Sequence, residues 1–231
     1  MKDRPHIMVV DDDREMLRLL KRVFELEGYD VTTAADGSSA LALLGECKQD
    51  LVILDIVMPG PDGYQVLEAI RQGSDIPVIM LTARCDVTSL HKALALGADD
   101  YVKKPFRPLE LMARVQAKLR RAKHWDERLE PTFYSHDLVI DFVGHRVTLD
   151  NKEVKLTATE YRLLSYLVHN AGQVVTPDQI LETVWGEKHS GANHLLQVNI
   201  ARLRQKLGDD TRNPRHILTR HGQGYMVVKQ T

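Results

Sequence analysis

Residues 51–63 read LVILDIVMPGPDG, and the first five positions decide the architecture of half the chain. Leu51 to Leu54 are apolar without interruption, so the segment reads as a strand buried on both faces, ending on an acid, Asp55. Working outward, the same form recurs. Ile7–Val10 runs into Asp11, Asp12 and Asp13; Val78–Leu81 runs into Thr82; Tyr101–Val102 runs into Lys103, Lys104 and Pro105; and Tyr29–Thr33 supplies a fifth strand. Helical periodicity fills the gaps at Arg14–Leu26, Ser38–Leu44, Tyr64–Arg71, Thr88–Leu96 and Pro108–Arg121, with Gly28, Gly45, Gly73 and Gly97 expected to close the first four. Five βα units predict an α/β domain over residues 1–121 with a doubly wound, five-stranded parallel sheet. Its functional groups are expected beyond the carboxyl ends of the strands.

Those ends carry the chemistry. Asp11, Asp12 and Asp55 should meet in one crevice, where like charges raise one another's pKa unless a cation neutralises them. A hard, oxygen-rich site with few protein ligands and room for water and phosphate suits Mg²⁺. Asp13, directly before a helix, is better placed as an N-cap. Thr82 and Lys104 point toward the same crevice, Lys104 beside a Pro105 whose peptide bond is a candidate for cis. Acid, acid, hydroxyl and ammonium at four strand ends can hold a phosphoryl group on a carboxylate. The haloacid-dehalogenase type of phosphatase also uses an aspartyl nucleophile with Mg²⁺ and Lys, but carries a second Asp two residues later. Val57 stands there, so that proton donor is missing.

The remaining chain has a different pattern. A linker is read at 122–132, ending just after Pro131, and 133–231 forms a second, α+β domain. Residues 133–156 alternate as short antiparallel strands with turn signals at Val143-Gly144-His145 and Asp150-Asn151; helices follow at 157–170, 176–185 and 192–207, then a hairpin around His221–Gly224. The whole chain has 231 residues, 31 Lys and Arg, 32 Asp and Glu, and a formal charge of −1. That balance hides a division. Residues 188–231 hold 8 basic and 2 acidic side chains plus four histidines, a single-sign stripe suited to nucleic acid. Within the third helix, Leu196, Ile200, Leu203 and Leu207 form an apolar seam, while His194, Gln197, Asn199, Arg202, Arg204 and Lys206 occupy the other faces. Amides and guanidinium groups read base edges in the major groove, which admits a helix. Trp185 reads as core rather than as a stacking platform, and the histidines lack ligand spacing for zinc.

No apolar run exceeds five residues, so no membrane span or secretory leader is expected; two cysteines, Cys47 and Cys85, form no disulfide framework and fit a reducing cytoplasm.

VVDDD, LDIVMPGPDG, LTAR and GADDYVKKPF, at these spacings, resemble the receiver domain of two-component response regulators, of the flavodoxin/CheY-like fold, over residues 5 to about 121. LTATEYRLLSYLVHNAG, TPDQILETVWG, NHLLQVNIARLRQKLGDD and ILTRHGQGYMV resemble the winged helix-turn-helix effector of the OmpR/PhoB class. The resemblance implies that Asp55 accepts a phosphoryl group from a sensor histidine kinase, assisted by Lys104 and Thr82. It implies Mg²⁺ on Asp12, Asp55 and the Val57 carbonyl, with Asp11 acting mainly through water, and a switch pair of Thr82 and Tyr101. On the effector it makes Gln197, Val198 and Arg202 base-facing, places Arg204 and Lys206 on phosphates, and sends a wing around Arg220 and His221 into the minor groove. His221 stands where relatives often carry Arg, so Arg220 is the substitute.

The implied function is phosphorylation-dependent transcription control rather than enzymatic turnover, the chain assisting only its own phosphorylation and dephosphorylation. Partners would be the kinase, double-stranded promoter DNA, a second copy of the chain and, as a further candidate, RNA polymerase. Asp99, Asp100, Glu110, Arg114 and Arg121 are the candidates for ion pairs between phosphorylated receivers. Leu90 departs from the family there, standing in place of a basic residue and removing the expected partner of Glu110, so a weaker or modified dimer is expected. A phosphorylation-independent repressor that uses its receiver only to dimerise is the alternative.

Overall fold

The computed structural model describes residues 4–46, 48–83, 87–119, 132–186, 189, 191–210 and 212–228. The chain divides into two compact units, 1–119 and 120–231. Both cysteines, Arg121 and residues 122–131 of the expected linker lie outside the described residues. Thr132, read as linker, already begins a strand.

In the first unit β1 (His6–Val10), β2 (Asp30–Ala34), β3 (Leu51–Asp55), β4 (Val78–Thr82) and β5 (Asp100–Lys103) pair in the order β2-β1-β3-β4-β5, every neighbour parallel. They alternate with α1 (Arg14–Leu26), α2 (Gly37–Glu46), α3 (Gly63–Gly73), α4 (Val87–Ala95) and α5 (Pro108–Leu119). The continuous apolar runs are buried as their composition requires: Ile7, Val9, Leu51, Ile53 and Ile79 pack with Leu20 and Phe24 of α1 and Leu111 and Val115 of α5. Asp13 caps α1, its side chain accepting from the amides of Glu15 and Met16. Gly28 and Gly97 follow their helices in the left-handed region, at φ 86° and 112°. Gly73 is the last residue of α3, as expected, whereas Gly45 lies one residue inside the end of α2 and is corrected; neither glycine is in the left-handed region.

Strand order reverses beside β1, and that register builds the site. Val10 pairs with Leu54, so the next residues, Asp11 and Asp55, emerge side by side.

The second unit opens with an antiparallel sheet of β6 (Thr132–Ser135), β7 (Leu138–Asp141), β8 (Arg146–Leu149) and β9 (Lys152–Glu153). Three helices follow, α6 (Ala158–His169), α7 (Pro177–Trp185) and α8 (Asn193–Lys206), then the hairpin of β10 (Ile217–Arg220) and β11 (Gly224–Val227). Capping boxes start α6 (Thr157 with Glu160) and α7 (Thr176 with Gln179). Trp185 is 1% exposed, a core residue. The second unit is an α+β winged-helix domain that follows the α/β receiver fold in the chain. Among the described residues no helix is long and apolar enough to cross a membrane.

Candidate functional site

The carboxyl ends of β1, β3, β4 and β5 converge as expected. Asp11 and Asp55 are buried and Asp12 is exposed, and each offers a carboxylate oxygen within 4.8 Å of the others. Lys104 Nζ lies between two of them, donating to Asp11 Oδ2 at 2.6 Å and to Asp55 Oδ2 at 2.9 Å. The backbone holds the acids in place: Asp11 Oδ1 accepts from the Asp13 amide at 3.0 Å, and Asp55 Oδ1 from the Ile56 amide at 2.8 Å. Burial pushes the Asp55 carboxyl above the usual range, and adjacent Asp11 adds to the effect, although Lys104 pulls the other way. Burial also works against the Lys104 ammonium, but its bonds to Asp11 and Asp55 prevail and raise its pKa. Three clustered acids with one ammonium retain a net negative charge, and their oxygen donors fit a hard divalent cation.

Thr82 ends β4, 1% exposed, and its carbonyl accepts the Lys104 amide at 2.7 Å; the Lys104–Pro105 peptide is cis. Tyr101 is half-buried on β5, and Val57, two residues beyond Asp55, is 54% exposed. Gly63 was missed by sequence reasoning. A Cβ there would run into the Asp55 carbonyl, so the close approach of α3 to the end of β3 requires glycine.

On α8 the expected seam is buried: Leu196, Ile200, Leu203 and Leu207 are at most 2% exposed. Several candidates for DNA contact require correction, because the buried face is wider than that seam. Asn199 is fully buried, its amide donating to the Leu195 carbonyl at 2.8 Å, and Val198 is 8% exposed. Arg204 is buried too, its Nη2 donating to the Ile217 carbonyl at 2.6 Å and to Thr219 Oγ1 at 2.8 Å; it pins the hairpin to α8 rather than facing a phosphate. Arg202 and Lys206 both pair with Glu160 of α6, at 2.8 and 2.7 Å, and Lys206 also donates to the Lys155 carbonyl. His194 is half-buried and Gln197 exposed. Asn193, Ala201 and Gln205 are exposed with Gln197, at intervals of four, a stripe that sequence reasoning missed. Arg220, His221, Gly222 and Gln223 at the hairpin tip are exposed.

The acids proposed for a dimer interface also move. Asp99 is 1% exposed, held by Arg71 Nη2 at 2.7 Å and the Val78 amide at 2.9 Å; it belongs to the interior of its own chain. Asp100 is fully buried and pairs with Arg114 at 3.2 Å, and Arg114 in turn pairs with Glu110 at 3.0 Å. Glu110 therefore has a basic partner within its own helix despite Leu90.

An acidic crevice at the switch point of a doubly wound sheet, followed by a winged-helix domain, defines a response regulator with a DNA-binding effector. Comparison with known proteins agrees. Residues 7–116 match the response regulator receiver domain, and 151–227 match the C-terminal domain of transcriptional regulatory proteins. The DNA-binding response regulator MtrA of Mycolicibacterium smegmatis is 42% identical over 96% of both chains, and the regulatory protein VanRc of Enterococcus gallinarum is 40% identical over 96% of this chain and 98% of its own. Among solved structures, the response regulator DrrB of Thermotoga maritima, an OmpR/PhoB homologue, is 34% identical over 98% of this chain and 100% of its own, with a TM-score of 0.53. The chain belongs to the OmpR/PhoB family of DNA-binding response regulators, which are in general regulators rather than enzymes.

Proposed function

We propose that this regulator is switched by phosphorylation of Asp55 and that the switch controls its binding to promoter DNA. The observation that carries the reading is the Lys104 ammonium bridging Asp11 and Asp55 inside the acidic cluster. Asp55 Oδ attacks the phosphorus of a phosphohistidine on a sensor kinase; the N–P bond breaks, and the imidazole leaves and takes up a proton from solvent. The carboxylates of Asp12 and Asp55 and the Val57 carbonyl would hold Mg²⁺, with Asp11 acting through water, and the ion would supply positive charge that offsets the charge of the transferred group. Lys104 exchanges its carboxylate partner for a phosphoryl oxygen. The new group carries roughly −1.5 to −2 charge, which gives the Thr82 hydroxyl an acceptor and draws it inward, with Tyr101 following.

That displacement alters α4, β5 and α5 and favours pairing of two receivers. With Asp99 and Asp100 buried, the pairing rests on Glu110, Arg114 and Arg121. Two effectors then meet DNA half-sites, α8 entering the major groove and the Arg220–Gln223 tip the adjacent minor groove. Action in the cytoplasm is part of this reading, and RNA polymerase is a further candidate partner.

The test is incubation with a small phosphodonor and Mg²⁺, followed by phosphate-affinity electrophoresis of wild type and Asp55→Asn. Wild type should shift and the variant should not. An unlabelled wild type would favour a phosphorylation-independent repressor. Labelling without any change in DNA affinity or oligomeric state would break the proposed coupling.

A further inference from the structure

The side chains of α8 that remain free to meet a base edge are unusual in kind. Arg204 is spent inside the domain on Ile217 and Thr219, and Arg202 and Lys206 are paired with the buried Glu160. Asn199 is buried on Leu195. The exposed stripe consists of Asn193, Gln197, Ala201 and Gln205, three carboxamides and a methyl group.

Residues four apart on a helix are about 40° apart around its axis and about 6 Å apart along it. Asn193, Gln197 and Ala201 therefore fan over about 80°, narrow enough for all three to face one groove. Gln205 lies a further 40° round and falls toward the sugar-phosphate backbone. A 6 Å step spans about one to two base pairs, depending on how the helix lies in the groove. Carboxamides pair bidentately with adenine at N6 and N7, and an alanine methyl packs on the thymine methyl, whereas guanine at O6 and N7 calls for Arg or Lys.

We infer that α8 is built to read A·T base pairs: Asn193 and Gln197 each take an adenine edge, and Ala201 takes a thymine methyl. This inference rests on the DNA-binding reading above and names its target chemistry. Glu160 contributes as a positioning residue, because by holding Arg202 and Lys206 it withdraws the two cations that would otherwise favour guanine.

Selection of bound duplexes from a random pool, with the full chain and both with and without a small phosphodonor and Mg²⁺, tests it. The expected core is a run of A·T pairs, in which 7-deazaadenine at either contacted adenine, lacking N7 but keeping N6, weakens binding by about 2- to 12-fold. Because Gln197 is exposed, Gln197→Arg should fold normally and shift one selected position from adenine to guanine. An enriched motif whose invariant positions are G·C pairs, or a Gln197→Arg selection identical to wild type, overturns this inference and leaves DNA binding standing. Enrichment of no motif in either condition overturns both.

Discussion

Lys104 Nζ and Asp55 Oδ2 lie 2.9 Å apart, and the same ammonium holds Asp11, so one partly buried cation balances two buried carboxylates. Removing one partner of such a pair costs far more than the pair's net contribution, because the other charges stay behind unpaired. Lys104→Gln should therefore destabilise the receiver by about 3 kcal/mol in the absence of divalent ions. Added Mg²⁺ should recover more stability in the variant than in wild type, since the acids then have only the ion to balance them. Melting of the full chain with Mg²⁺ and with chelator checks this; equal Mg²⁺ effects on both proteins would show that Lys104 does not carry the balance.

Gly63→Ala tests how closely α3 approaches Asp55, the proposed phosphoacceptor. A methyl there meets the backbone of Asp55 and Ile56, which cannot swing aside as a side chain can. The expected loss is about 1–3 kcal/mol, the usual cost of overpacking. Labelling by a phosphodonor should slow as well, because the Asp55 backbone must shift. Full stability with unaltered labelling would mean that the approach is looser than described.

Glu160→Gln addresses the effector. The amide can still accept from the Thr157 backbone and so keep the capping box, but the countercharge to Arg202 and Lys206 is lost. Each cation released to a DNA phosphate steepens the slope of log K against log salt by about 0.9. Binding titrations across a range of salt should therefore show a slope steeper by about one to two in the variant. An unchanged slope would show that neither cation reaches the backbone.

The parallel sheet and its acidic crevice were legible in the sequence because burial on both faces imposes continuous apolar runs, and because strand ends place Asp11, Asp55, Thr82 and Lys104 without any long-range pairing being known. The proposed DNA-reading face was harder. Charge suggested Arg202, Arg204 and Lys206, but whether a cation is free depends on partners distant in sequence, Glu160, Ile217 and Thr219, which no periodicity reveals. Asn199 misled for a related reason: an amide can be buried within a helix once it bonds a carbonyl four residues earlier. Asp99 and Asp100 read as surface acids, yet Arg71 and Arg114 make them interior ones. The stripe from Asn193 to Gln205 has a signal, a spacing of four, but its side chains are uncharged and charge patterning does not reveal them.

His216 is 2% exposed, with Nε2 3.1 Å from Asp137 Oδ1; Asp209 accepts from its backbone amide, and His136 and Arg215 lie against it. Burial lowers its pKa below the usual histidine value, outweighing the attraction of Asp209 and Asp137, while the nearby Arg215 and His136 lower it further. The unfolded chain, with a value of about 6.5, then binds the proton more readily than the folded one. The associated stability is fully present above about pH 6.5 and is lost as pH falls through the folded-state value. The effector's melting midpoint should decline on acidification across that window. His216→Gln, which has no titrating ring, should lower the midpoint at neutral pH and flatten the decline. A wild-type midpoint that is constant between about pH 7.5 and 5, or an equally steep decline in His216→Gln, would assign the acid sensitivity elsewhere.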